Sequence, residues 1–323
     1  MEKKYYGDMM KKILFLACAA VYCLILPACS INKMAIKAVS NALTGTGSSD
    51  VFTGDPDPRL VGDALPFAIK MYEALLDINP EHQGLILTTG SLFIMYANAF
   101  VQGPAEMLPN TEWREREAAL MRAKQLYLRV YEILNNGLEA KYRGFGQASV
   151  DNGTLQAILQ KCKKEDVGLL YWTVAGGLSA YSIDLLDFEL SARIPDWSVM
   201  IHRAYELDPD YGGSALDEFF IIFYASLPEM LGGDKERAEI HFQRALEKSG
   251  GRSVGAYVSY AQNISAPAQD YDTFKDYLEK ALAINPDADP STRLVNIITQ
   301  QKARWLLDNA WTIFSFLPIP DDF

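Results

Sequence analysis

The residues able to do chemistry are few, and their spacing restricts what that chemistry can be. The chain carries three histidines (His82, His202, His241) and four cysteines (Cys18, Cys23, Cys29, Cys162). No histidine stands at ligand spacing from another histidine, a cysteine or a carboxylate, and neither H-E-x-x-H nor C-x-x-C occurs, so no metal site is expected. Adjacent carboxylates such as Asp217 and Glu218 could work as acid and base, but a chain with 41 Asp and Glu produces such pairs by chance. The pairs Gly176-Gly177, Gly212-Gly213 and Gly232-Gly233 lack the spacings that cradle phosphates and read as packing and turn residues. Cys162, alone in the body, reads as a small buried hydrophobe. We therefore expect neither an enzyme nor a cofactor.

Cys29 is the cysteine whose surroundings prescribe a reaction. Met9-Met10-Lys11-Lys12 opens a basic segment, and the apolar run Ile13–Leu26 is too short to span a bilayer but suits a signal-peptide core. Its end, Leu26-Pro27-Ala28-Cys29, resembles a bacterial lipobox, although Pro27 departs from the usual small residue. On that reading residues 1–28 are a lipoprotein signal peptide, starting at Met1, Met9 or Met10. The Cys29 thiol then takes a diacylglyceryl group and anchors a periplasm-facing protein to a bacterial membrane, since several acyl chains hold where one is marginal. Ordinary cleavage beside an incidental cysteine is the alternative. Residues 29–57 would be the lipidated N-terminus and a tether, flexible over Thr44–Asp50, with the folded domain at 58–323. The net charge of −11 argues against nucleic acid or anionic lipid as a partner of that domain.

The elements that position these residues read as helices throughout. Between Phe219 and Gly250 two helices flank a break at Gly232-Gly233, and Ile222, Ser226, Ala238, Phe242, Ala245 and Gly250 keep the spacing of a tetratricopeptide (TPR) hairpin. The second-helix ending recurs in Ala204 with Pro209 and in Ala281 with Pro286. Apolar periodicity predicts further helices over Asp63–Asp77, Leu85–Val101, Glu112–Tyr142, Leu155–Lys164, Val167–Ile183, Trp197–Leu207, Val254–Ala266 and Asp272–Ile284. A last helix, Ser291–Phe316, would cap the row. The expected fold is all-α: a TPR-like solenoid of helical hairpins with a C-terminal capping helix.

Setting the small residues of each first helix at the hairpin contact chooses a concave face. Ser226 places Phe220, Phe223, Leu227 and Met230 there. Gly90 places Leu87, Ile94 and Met95 there, with Ser91 as the polar exception. The Trp172/Gly176 pair adds Leu170, Thr173, Gly177 and Tyr181. Lysine and asparagine peptide clamps are missing apart from Asn263. A face this apolar needs a cover: a small apolar or amphipathic ligand, another helix, closure into a tunnel, or the last helix itself. If a ligand binds, Phe223→Asp should abolish its uptake and leave the fold intact.

Several blocks occur together in a recognisable order. They are residues 55–76 (DPDPRLVGDALPFAIKMYEALL), Tyr171-Trp172, 203–216 (RAYELDPDYGGSAL), 227–246 (LPEMLGGDKERAEIHFQRAL), 257–262 (YVSYAQ) and 293–307 (RLVNIITQQKARWLL). Over Asp55–Asp308 the chain resembles the TatT-like T-component lipoproteins of tripartite ATP-independent periplasmic (TRAP) transporters. The resemblance implies a helical solenoid with an apolar pore, a homotrimer, and pairing with the TRAP solute-binding protein to bind or pass on a hydrophobic or amphipathic, fatty-acid-like ligand before import. A lipoprotein scaffold holding envelope-assembly proteins through its repeats is the alternative from a different class.

Overall fold

Asp57 starts the row of helices: its carboxylate accepts the backbone N–H groups of Arg59 and Leu60, and Pro58 occupies the first turn, where no N–H is missed. The structure, a computed structural model, describes residues 37–45 and 50–319. The signal segment and Cys29 lie outside those residues. From residue 58 onward eleven α-helices of six residues or more follow: α1 Pro58–Ile78, α2 Gln83–Tyr96, α3 Trp113–Lys141, α4 Thr154–Leu159, α5 Val167–Ile183, α6 Ile194–Leu207, α7 Ala215–Ser226, α8 Lys235–Ser249, α9 Val254–Tyr260, α10 Tyr271–Ala283 and α11 Arg293–Asp308. No strand occurs among the described residues. Two π-helical segments, Ala97–Gln102 after α2 and Ala261–Ser265 after α9, prolong their helices with one extra residue per turn.

The long helices pack largely in chain order: α1 on α2, α2 on α3, α3 on α5, α5 on α6, α7 on α8, α9 on α10 and α10 on α11, with α7 also against α9 and short α4 against α6. The larger core runs from α1 to α7 and holds Leu65, Leu85, Tyr127, Leu134 and Trp197, all fully buried. A second core gathers Val254, Phe274, Leu278 and Phe314 around α9–α11. Helices α5 and α6 meet closely because Gly177 has no side chain: a Cβ there would lie 2.4 Å from the Trp197 indole. Helix Gln83–Glu106 is the one described helix long and apolar enough to cross a membrane, yet half of its apolar window is buried against α1, α3 and α5. It is a core helix here.

The row closes on itself. Leu294 of α11 belongs to the larger core, and Arg293 Nη1 donates 2.8 Å to the Gly54 carbonyl, 239 positions earlier. Lys302 of α11 pairs at 2.9 Å with Glu106 beyond α2. The last helix therefore joins the first hairpin.

Two expectations shift. The last helix stops at Asp308, and Phe314 turns back into the second core, so it does not reach Phe316. Helix α7 stops at Ser226 because Leu227 precedes Pro228, which disfavours the helical conformation of the residue before it. The chain on either side of Thr44–Asp50 is docked: Tyr72 donates to the Leu43 carbonyl at 2.8 Å, and Arg293 to the Gly54 carbonyl. Residues 46–49 between them lie outside the described residues.

Candidate functional site

On α5 one face packs on Trp197 through Gly177, and Leu170, two turns earlier, shares that face. The opposite face carries half-buried Trp172, Ala175 and half-buried Ser179. Helix α7 repeats the division. Phe220 and Phe223 are 1% and 3% exposed, against His202 of α6, while Ile222 is 45% exposed and Ser226 also meets solvent on the other side. Ser226 Oγ donates to Asn263 Oδ1 at 3.2 Å, which carries the same face to the π segment after α9. On α2, Ile94 lies against Gly176 of α5 and Leu87 against Gly168. Ser91, Met95 and Asn98 share another face, on which Ser91 is half-buried, Met95 is half-buried against the larger core and Asn98 is exposed. The less buried faces of α2, α5, α7 and the π segment after α9, together the inner face of the row, carry Met95, Trp172, Phe219 and Ile222 with Ser91, Asn98, Ser226 and Asn263; Met95, Trp172 and Phe219 keep one side on the larger core. Tyr171 anchors its aromatic part, with ring centroids 4.9 Å from Trp172, 5.7 Å from Tyr211 and 5.8 Å from Phe219.

The structure separates the residues expected on the concave surface. Ile94, Leu170, Phe220 and Phe223 are buried between helices. Leu87, Met95 and Tyr181 are half-buried. Leu227 and Met230 fall beyond the end of α7, with Met230 88% exposed in a 3₁₀ turn. Phe223→Asp would therefore place an unpaired carboxylate among Phe219, Phe220, Tyr224 and His202, and it tests the fold rather than uptake. Ile222 takes its place as the probe of the inner face. Elsewhere, an open depression of about 580 Å³ lies between the α3–α4 connection and α4, lined by Arg143, Gln147, Asn152, Thr154, Ala157 and Ile158.

The largest polar cluster lies between α6, α7 and α8, and sequence spacing alone did not disclose it. Asp217, fully buried, meets His241 Nδ1 at 2.7 Å and Lys248 Nζ at 2.8 Å, and accepts the Tyr205 hydroxyl at 3.1 Å. Lys248 also reaches Asp210 at 3.1 Å. Burial alone would raise the Asp217 carboxyl, but the bonds from His241 and Lys248 outweigh it and hold the group below the usual carboxylate range. Asp166 behaves alike: burial opposes its charge, and Lys141, the Tyr142 hydroxyl at 2.6 Å and the Lys163 N–H at 2.8 Å overcome it. Both carboxyls thus bind protons less readily folded than unfolded. Their contribution to stability is complete above about pH 4, the ordinary carboxyl value, and is lost as pH falls through their depressed folded values. Urea midpoints measured from pH 7 to pH 2.5 should hold steady to about pH 4 and then fall.

None of this is a nucleophile or metal cage, and no group of three metal-ligating side chains occurs among the described residues. What the geometry offers is a closed row of helices with an amphipathic inner face. The family described as TRAP transporter T-component (TAtT) matches residues 54–314, nearly all of that row. The chain belongs to this family. As a TRAP T-component it is part of a transport system and of the cell envelope. A protein of Treponema pallidum (strain Nichols), described as uncharacterized, is 36% identical to this T-component over 298 residues, which span 88% of this chain and 92% of its own.

Proposed function

We propose that this T-component is a lipid-anchored periplasmic protein with a TPR-like solenoid body. It assembles as a homotrimer, engages the TRAP solute-binding protein, and passes a hydrophobic or amphipathic ligand to it for import. Residues 1–28 serve as its signal peptide, Cys29 as its anchor and 58–323 as its folded domain. The observation that carries the reading is the inner face of the closed row, where Met95, Trp172, Phe219 and Ile222 alternate with short polar side chains. That mixture suits an acyl-like chain with a polar end, because apolar contact supplies affinity and a few polar groups fix orientation. Membership in the T-component family supplies the transporter.

The test is mild cross-linking of the full chain in its native envelope, followed by affinity capture and mass spectrometry of proteins and of organic extract. Recovery of a TRAP-type solute-binding protein together with an acyl ligand is expected. Recovery of outer-membrane assembly factors without any solute-binding protein would overturn the transport reading. Ile222→Glu, at a site already 45% exposed, should leave the unfolding midpoint unchanged and cut extracted ligand tenfold or more. Unchanged ligand would remove the inner face as its site.

A further inference from the structure

Helix α1 has two apolar faces, and the core uses only one. Val61, Leu65, Ile69 and Tyr72 are buried. A second stripe, Leu60, Ala64, Phe67, Met71, Ala74 and Ile78, faces solvent along its whole length, with Leu60 58%, Phe67 71%, Met71 46% and Ile78 58% exposed. The intervals are 4, 3, 4, 3 and 4 residues, the 3.5-residue period with which one helix seats against another. No charged residue interrupts it.

We propose that this stripe is a self-association seam, packed against α1 of further copies of the same chain in parallel. The area is sufficient. With the exposures above, the stripe presents on the order of 500 Å² of apolar surface, at the upper end of what a monomer leaves open. Pairing two such stripes covers on the order of 1,000 Å², the lower bound of a specific interface. Charge sets the direction. Asp63, Lys70 and Asp77 line one flank of the stripe, whereas the other flank, Val61, Ala68 and Leu75, is uncharged. An antiparallel match of large with large residues centres on Ile69. It would set each Lys70 beside its counterpart and Asp63 beside Asp77 of the other copy. Parallel copies instead lay the charged flank along the uncharged one, so like charges do not meet. The same net charge of −11 disfavours an anionic membrane as the occupant.

The inference rests on the multimeric part of the proposed function and assigns it a surface. In the full chain in native membranes, Ala74→Cys should cross-link to twice the monomer mass under mild oxidant and revert on reduction, because parallel copies bring residue 74 to itself. Cys162, 2% exposed, stays silent, and Asp151→Cys is the exposed control. The detergent-purified wild type should sediment as an integer multiple of the mass of one processed, lipidated chain. The double variant Phe67→Asp with Met71→Lys should sediment as the monomer, with the same helical content and melting temperature. Absence of the Ala74→Cys cross-link, or a multimer that survives the double variant, overturns the seam. A monomeric wild type whose double variant loses the solute-binding protein hands the stripe to that protein and also overturns it. Seam cross-links with no solute-binding protein recovered would leave the seam standing and defeat the transport reading instead.

Discussion

Asp217→Ala should lower stability by about 3 kcal/mol, the mild end of the 3–5 kcal/mol cost of breaking a buried ion pair by removing one partner. Asp217 is fully buried, and His241 and Lys248 are 10% and 24% exposed at their side chains. The substitution deprives both, and Tyr205, of their common acceptor. The cost stays near the lower figure because Lys248 retains Asp210 and the Pro209 carbonyl. Asp217→Asn keeps an acceptor oxygen for His241 and Tyr205 but turns an NH2 donor towards Lys248, losing both the charge and the acceptor there, so it should cost about half as much. Urea unfolding at pH 7 checks both. A ranking in which Asn and Ala are equal would mean that the charge, not the hydrogen bonds, holds the three helices together.

The second large effect is at the α5–α6 contact. Trp197→Ala empties the site of a fully buried indole and should cost about 3–5 kcal/mol. Gly177→Ala drives a methyl to 2.4 Å from that indole and should cost about 1–3 kcal/mol, despite the 0.5–1 kcal/mol that alanine gains over glycine inside a helix. In the Trp197→Ala background the overlap disappears, and Gly177→Ala should become neutral or stabilising. The double-mutant cycle therefore closes with a coupling of about 2 kcal/mol, whereas additive losses would show that the two residues do not share one space.

Helix positions were readable wherever polar and apolar residues alternate along a helix. Val167–Ile183 coincides with the expected range, and α1, α6, α8 and α10 carry clear apolar stripes. The faces of α5 and α7 were not readable, because both are apolar nearly all round. With no periodic contrast, the choice of Leu170 and Phe220 over Trp172 and Phe219 had nothing physical to decide it. The Asp217–His241 contact joins residues 24 apart on two helices, and no spacing rule connects them. The outer stripe of α1 was legible in principle from its intervals. The buried stripe beside it already accounts for the helix, so its periodicity is easily taken for the whole pattern.

The Arg293–Gly54 contact has a kinetic consequence. Closing a loop of 239 residues carries an entropic cost of roughly 5 kcal/mol that grows only with the logarithm of length, while every hairpin before it closes locally. Nascent chain therefore builds hairpins in order and docks α11 last. Until that final step the first and last hairpins stay unjoined, and the core side chains that Leu294 later meets, like the Glu106 carboxylate that Lys302 pairs, remain open to solvent and to any neighbouring chain.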